Sequence, residues 1–267
     1  MAESPPTAAA SEEHNATSAA RSYRDAVEAD LRFFHFLIDT VLAGDYVAFT
    51  ARRALNGVEL DRELTPSKLA STEPGPRTLF LRRNSQALLE MFLGRLVDAF
   101  QKYLVDIIRD ILRRKPEILR TRKESLTVEE LLRFTTVEEL VQVIIERKVS
   151  SLAYEGFGRV RDWCTEKGIP LDVSAEDLPA VVEFIACRNI IAHNRGVVDE
   201  RYLEAVPSSA LAIGATRTLS ADDIFRAATL LGKIVEASDV AAIGKFGLPT
   251  QPASKNHRSD APPPNVS

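Results

Sequence analysis

The sequence predicts an all-α protein, and three features of its 267 residues favour that class. Hydrophobic residues make up 45% of the chain while glycines number only 12, fewer than β-rich chains usually need for turns. Apolar residues recur at steps of three and four over long stretches, which is the period of an amphipathic helix. Serine or threonine precedes several stretches with a carboxylate three positions later, as at a helix N-cap. We therefore expect one helical domain at residues 20–246.

Both ends of the chain differ from this domain in composition. Residues 1–19 and 247–267 are rich in Pro, Ala, Ser and Asn, so they are predicted to be disordered tails. No basic segment followed by an apolar one opens the chain, and no stretch approaches the roughly 20 apolar residues of a membrane helix. The two cysteines, Cys164 and Cys187, are too few for a disulfide scaffold. The expected location is cytoplasmic, without membrane association.

The first half of the domain predicts two long helices. One runs from about Tyr23 to Leu55 and stops at Asn56 and Gly57, and residues 57–78 are predicted to be a long connection. The clearest helix carries a continuous apolar stripe at residues 88–112, and its full length of about 30 residues would make a central rod of roughly 45 Å. This stripe is more than one short helix covers, so it predicts packing against several helices or against a second subunit.

The second half predicts further helices, each marked by a capping residue at its start or a glycine at its end. They cover a short turn after Thr127 and residues 137–149, 157–166, 175–193 and 220–242. A small β-hairpin is expected at residues 209–218, between the last two of these helices.

Polar residues interrupt the otherwise apolar helix at 175–193. They are Arg188, Asn189 and His193. Asn189 and His193 are one turn apart on the same side, and Arg188 is about 140° from His193 around a regular helix. An arginine buried there without a partner would cost several kcal/mol. The three groups must therefore line a cleft, meet a charged partner or lie at an interface.

The segment RNIIAH, from Arg188 to His193, resembles the Arg-x4–6-His active-site motif of the HEPN superfamily, in which Asn commonly follows the Arg. The wider text RNIIAHNRGVVDERY is similar to the RiboL-PSP subgroup. The resemblance implies an all-helical homodimer that cleaves RNA without metal at the dimer cleft, in a defence, toxin or stress role. HEPN toxins paired with a nucleotidyltransferase antitoxin often carry Tyr two residues after the His. Arg195 stands there instead, which departs from that mode of regulation, and an antitoxin or regulatory protein is kept as a candidate partner.

The chemistry of RNA cleavage assigns a catalytic role to each motif residue. RNA supplies its own nucleophile, the 2′-OH, and His193 is the side chain type that moves protons near neutral pH. Arg188 supplies a fixed cation for the developing phosphorane charge, and Asn189 orients His193 or the phosphate. The products would be a 2′,3′-cyclic phosphate and a 5′-OH. No cluster at metal-ligand spacing is visible, so neither a metal nor a cofactor is expected.

A basic cluster near the end of the central helix is a second candidate for RNA contact. Arg113, Arg114, Arg120 and Arg122 would follow phosphates, or they form a solvated helix end whose charges suit the helix dipole. Two alternatives to a ribonuclease remain open. One is a HEPN module without catalysis that binds RNA, a nucleotide or a protein, and the other is a helical scaffold with no site.

Overall fold

The computed structural model describes residues 15–59, 61–120 and 127–251. Within these ranges the regular structure is helical and contains no β-strand, which confirms the all-α class. The α-helices are α1 (Ser18–Leu55), α2 (Pro66–Thr72), α3 (Pro76–Arg83), α4 (Ser85–Arg114), α5 (Val128–Leu131), α6 (Val137–Tyr154), α7 (Phe157–Lys167), α8 (Leu178–Asn194), α9 (Glu200–Ala205) and α10 (Ala221–Phe246).

The predicted central helix is confirmed as α4, which has 30 residues. It packs against α1, α6, α8 and α10, so its apolar stripe is covered from several sides. The stripe residues that are buried are Phe92, Leu93, Leu96, Val97, Phe100, Tyr103, Leu104, Ile107, Ile108, Ile111 and Leu112. Because the chain itself buries this stripe, the stripe does not require a second subunit.

Helix α1 begins earlier than predicted because the chain before it is fixed to α10. The Thr17 hydroxyl accepts a hydrogen bond from the Ala20 N–H, while buried Asp239 accepts from the Thr17 N–H (3.0 Å) and hydroxyl (2.5 Å). Ala16 also pairs with Gln251. The predicted tail boundaries at 19 and 247 are therefore wrong: residues 15–19 and 247–251 belong to the folded part. The remainder of the predicted tails, 1–14 and 252–267, lies outside the described residues.

Much of the exposed surface of α1 is apolar. Tyr23 and Phe34 pack on α4, whereas Phe33, Phe36 and Val47 are exposed. An 18-residue window of α1 reaches a mean hydropathy of 1.2 with 6% of it buried, so α1 is long and apolar enough to cross a membrane. This finding rests on length and composition alone, so the absence of membrane association stays a prediction. The same length and composition also fit a helix that packs on protein.

Residues 57–78, which were predicted to be a long connection, contain α2 and the start of α3. Each helix has a proline in its first turn, where a missing N–H is tolerated. The cap of α3 comes from α1: Asp45, buried, accepts hydrogen bonds from the N–H groups of Thr78 (2.7 Å) and Arg77 (3.3 Å). Such a cap depends on a residue more than thirty positions away and leaves no local signature.

The hairpin prediction at residues 209–218 is wrong. This segment is a loop, and its backbone pairs with the chain leaving α8 instead of folding back on itself. The Val198 N–H donates to the Ala215 carbonyl (2.8 Å), and Val198 accepts from the Gly214 N–H (2.9 Å). These bonds hold the loop and α9 beside the end of α8.

Candidate active site

The three motif residues line one open cleft of about 750 Å³. They lie on α8, whose other face is anchored by Val181, Phe184 and Cys187 in the core. Asn189 and His193 are exposed, and Arg188 is half-buried. Asn189 and His193, which helical spacing placed on one side of the helix, therefore both face the cleft, and Arg188 reaches the same cleft.

The other walls of the cleft come from distant parts of the chain. Gln101 of α4, Glu155 and Gly156 before α7, and Asp199 and Arg201 beside and within α9 all line it. The N-terminus of α7 opens onto the cleft, where Gly156 provides no side-chain cap. A helix N-terminus adds partial positive charge to its surroundings.

Arg188 is paired within its own chain. Its Nη2 lies 2.5 Å from Oδ1 of Asp98 on α4, and its Nη1 donates to Oδ1 of Asn189 at 3.1 Å. The side chains of Arg188 and Asp98 are 27% and 55% exposed, so water reaches the pair. Of the three predicted surroundings for these polar groups, a cleft and a charged partner are therefore both present.

His193 stands at the exposed end of the same helix. Within the part of the chain that the structure describes, no hydrogen bond or ion pair to its imidazole is present. The Asn189 amide bonds to Arg188 and not to His193. Both imidazole nitrogens therefore remain available for a ligand in the cleft.

The helix end behind His193 is fixed by backbone geometry. Arg195 and Gly196 both have positive φ, 52° and 75°, and the Gly196 N–H bonds to the Ile190 carbonyl at 3.0 Å. This is a left-handed helix stop. It turns the chain sharply into α9, whose N-cap is Asp199.

Arg217 ties α8, α9 and α10 together behind the cleft. Its Nη2 is 3.2 Å from Glu183 and 3.5 Å from Asp223, and it also bonds to Tyr202. Burial works against the charge of Arg217, but the two carboxylates outweigh it and raise its pKa. Burial raises the pKa of Tyr202, because it disfavours the charged phenolate. A charged, multiply bonded arginine here holds the helix that carries the motif.

Sequence reasoning missed Asp98 and Arg201. Arg201 is exposed, lines the cleft and has no ion pair among the described residues. It lies inside the segment that resembles the RiboL-PSP subgroup, so its nearness to His193 in the chain was an available signal. Asp98 lies 90 positions before Arg188 and carried no such signal.

The structure does not bring Arg113, Arg114 and Arg120, the described members of the predicted basic cluster, to the cleft. Arg113 is about 22 Å along α4 from Asp98, at 1.5 Å per residue. It pairs with Glu146 (3.3 Å) and bonds to Gln142 (3.3 Å), both on α6. Arg114 and Arg120 are exposed, and Arg122 lies outside the described residues.

Neither cysteine takes part in the cleft chemistry. Cys187, beside Arg188, and Cys164 on α7 are both buried and free. Burial raises the pKa of Cys187 to about 11 and that of Cys164 to about 12, which keeps both as unreactive thiols. Among residues 15–59, 61–120 and 127–251, no group of His, Cys, Asp and Glu could hold a metal ion.

Comparisons with protein-family models, curated proteins and solved structures found no match to this chain. The chain is therefore characterised by its structure alone. It is an all-α protein with a cleft that Arg188, Asn189 and His193 line at the end of one core helix.

Proposed function

We propose that this protein is a metal-independent endoribonuclease of HEPN type. The observation that supports the proposal is that Arg188, Asn189 and His193 line one open cleft, together with a further cation, Arg201. A cleft with two guanidinium groups and an exposed imidazole suits a phosphodiester, which needs charge stabilisation and proton transfer.

The proposed reaction uses the RNA 2′-OH as nucleophile. Its oxygen attacks the adjacent phosphorus while its proton passes to a base, and the bond from phosphorus to the 5′-oxygen breaks. That oxygen takes up a proton, which leaves a 2′,3′-cyclic phosphate and a 5′-OH. His193 serves as one proton-transfer group, and Arg188 stabilises the pentacoordinate phosphorane.

Two proton transfers are needed, and one exposed imidazole performs one of them at a time. We therefore propose a homodimer in which a second copy of His193 reaches the same cleft, as the resemblance to HEPN ribonucleases implies. The open side of the cleft leaves room for this approach, since Asn189 and His193 are exposed on it.

Arg188 must exchange partners before it can bind a phosphate. Its bond to Asp98 is accessible to water, and exposed ion pairs of this kind contribute only about 0.2–1 kcal/mol. A phosphate carrying a full charge can compete with a carboxylate at that cost. Arg201, without an ion pair among the described residues, can contact the phosphate with no prior exchange.

A second function is favoured by the same ion pair. Asp98 neutralises Arg188, and Asn189 bonds to Arg188 instead of orienting His193. Both contacts suit a HEPN module that binds RNA, a nucleotide or a protein partner without cutting it. The biological role that we propose is in defence, toxicity or stress response in the cytoplasm, with an antitoxin or regulatory protein as a candidate partner.

Cleavage of total RNA in the presence of EDTA tests the proposed activity. We expect His193→Ala and Arg188→Ala to lower the rate by about 10²–10⁴-fold while the fold persists. Glu166→Gln is the matched control, because Glu166 is exposed at the far end of α7 from the cleft. Cleavage ends should be cyclic phosphates, and substrates with a 2′-deoxyribose at the cut site should resist.

Three results would support the non-catalytic alternative or overturn the mechanism. RNA bound but uncut by the wild type supports the binding module. Full activity in His193→Ala, or a strict need for a metal, contradicts the proposed chemistry. A monomer by light scattering under assay conditions, with activity retained, would remove the second histidine from the mechanism.

A further inference from the structure

An apolar cavity of about 240 Å³ lies beside the active-site cleft, between α4, α6 and α7. Its walls are mostly aliphatic or aromatic: Leu104, Val105, Ile108, Val149, Leu152 and Phe157. Gln101, Ala153, Glu155 and Phe157 line both this cavity and the cleft. The cavity and the cleft are therefore adjacent and share these four lining residues, so a single ligand can extend from one into the other.

Two polar side chains lie where the cavity meets the cleft. Gln101 is half-buried, and no hydrogen bond to its amide is present in the part of the chain that the structure describes. One carboxylate oxygen of Glu155 accepts from the Ser151 hydroxyl at 3.0 Å. The Lys102 ammonium at the rim is engaged by Asp106 at 2.5 Å. The ligand thus meets a free amide and a carboxylate, but no free cation.

We propose that this cavity binds a guanine base of the RNA, next to the phosphate held at Arg188. The proposal rests on the proposed function, because it assigns to that cleft the recognition of its substrate. Drug-sized ligands occupy pockets of about 300–1,000 Å³, so this smaller cavity suits one flat ring system. Its apolar walls take the faces of the base, as is usual for single-stranded RNA.

The polar pair favours guanine over the other bases. A carboxylate only accepts hydrogen bonds, and guanine presents two adjacent donors, N1–H and the N2 amine. Gln101 can donate its amide N–H to the guanine O6. Adenine would place its unprotonated N1 against Glu155, leaving a carboxylate opposite an acceptor.

The backbone beside the cavity leaves space for the sugar and phosphate. A Cβ added to Gly156 or Gly158 would meet no atom within 4 Å, and both glycines line the cleft. On the other side of the cleft, Arg188 and Arg201 are placed to receive the charged phosphate. Base in the cavity and phosphate in the cleft match the apolar and cationic surfaces respectively.

Calorimetric titration of the full chain with 3′-GMP, 3′-IMP and 3′-AMP tests the base site without requiring catalysis. IMP lacks only the N2 amine, and a hydrogen bond to a charged group corresponds to about 10–100-fold in affinity. We expect 3′-GMP to bind tightest and 3′-IMP and 3′-AMP to bind weaker by that factor. Glu155→Gln replaces one of the two acceptor oxygens by a donor and should therefore reduce the difference between GMP and IMP, whereas Glu166→Gln should preserve it.

A blocking variant provides a second measurement. Ala153 is exposed on α6 and lines both spaces, so Ala153→Phe adds a ring at the mouth without replacing a buried group. This variant should lower the affinity for all three nucleotides while its circular dichroism spectrum stays the same as that of the wild type. Equal affinities for the three nucleotides, or GMP discrimination unchanged in Glu155→Gln, overturns the proposal.

Mapping of cut sites on a defined RNA separates this proposal from the proposed function. Cleavage by the wild type without preference for guanine contradicts the base site and leaves the ribonuclease standing. GMP binding that depends on Glu155, with no RNA cut, contradicts the ribonuclease and leaves a guanine-nucleotide site. Neither binding nor cleavage contradicts both.

Discussion

The contact between Asp98 and Arg188 makes opposite predictions for two possible roles of the carboxylate. If Asp98 competes with RNA for Arg188, then Asp98→Asn should tighten RNA binding. Exposed ion pairs contribute about 0.2–1 kcal/mol, and release of Arg188 from one corresponds to about 1.4- to 5-fold in the dissociation constant. Removal of one negative charge near the phosphate acts in the same direction, since like charges repel.

The assay for this prediction is fluorescence anisotropy with an RNA whose 2′ positions are blocked, so that binding is measured without cleavage. The gain from Asp98→Asn should shrink at high salt, because the Debye length falls from about 8–10 Å near physiological ionic strength to about 3 Å at 1 M. Glu166→Gln removes the same charge at the other end of α7, roughly 12–15 Å from the cleft, and should change affinity little. The unfolding free energy of Asp98→Asn should stay within about 1 kcal/mol of wild type.

The competing role is positioning, in which Asp98 holds Arg188 where the transition state needs it. Under that role Asp98→Asn would lower kcat and leave binding unchanged or weaker. Weaker RNA binding by Asp98→Asn at low salt would therefore refute the competition. Arg188→Ala supplies the reference, because it should weaken binding in either case.

Three further predictions concern stability and the basic cluster. Gly75→Ala should destabilise the protein by about 1–3 kcal/mol in chemical denaturation, because its Cβ would lie 2.4 Å from Cγ of Asp45. Gly94→Ala should stabilise it by about 0.5–1 kcal/mol, because Gly94 lies on a helix with open space around it. Burial raises the pKa of Asp239 despite its bonds to Thr17, so the folded state keeps this proton after the unfolded chain has lost it. The free energy of unfolding of the wild type should then fall as pH rises through that pKa. Denaturation at two pH values should show that the stability of Asp239→Asn relative to wild type is greater at the higher pH. Arg114→Ala should weaken RNA binding and lower its salt slope by about 1 if this side chain follows a phosphate, and unchanged binding would make it a solvated helix end.

Local signals in the sequence were enough to place the main helices. The stripe in α4 predicted a central helix because three- and four-residue steps occur only along one helical face. Thr136 and Ser220 cap α6 and α10 as their sequences indicated, and Gly168 ends α7 in the left-handed conformation. In each case the deciding contacts lie within about four residues of the chain.

Part of the candidate site was also local. Arg188, Asn189 and His193 share one helix end, so helical spacing alone placed them near one another. Their position on an accessible cleft, expected as one of three alternatives, depended on what packs around α8. The sequence could not decide that, because the cleft walls belong to α4, α7 and α9.

The errors in the prediction all involve partners far apart in the chain. Asp45 caps α3 from α1, Asp239 fixes Thr17 from α10, and Gly214 and Ala215 bond to Val198, which follows α8. The sequence by itself determined the helical class, the central helix and the polar triplet, because periodicity and capping act over one or two turns. Only the tertiary structure paired Asp98 with Arg188 and opened the apolar cavity beside the cleft, because these follow from packing between helices that no local pattern records.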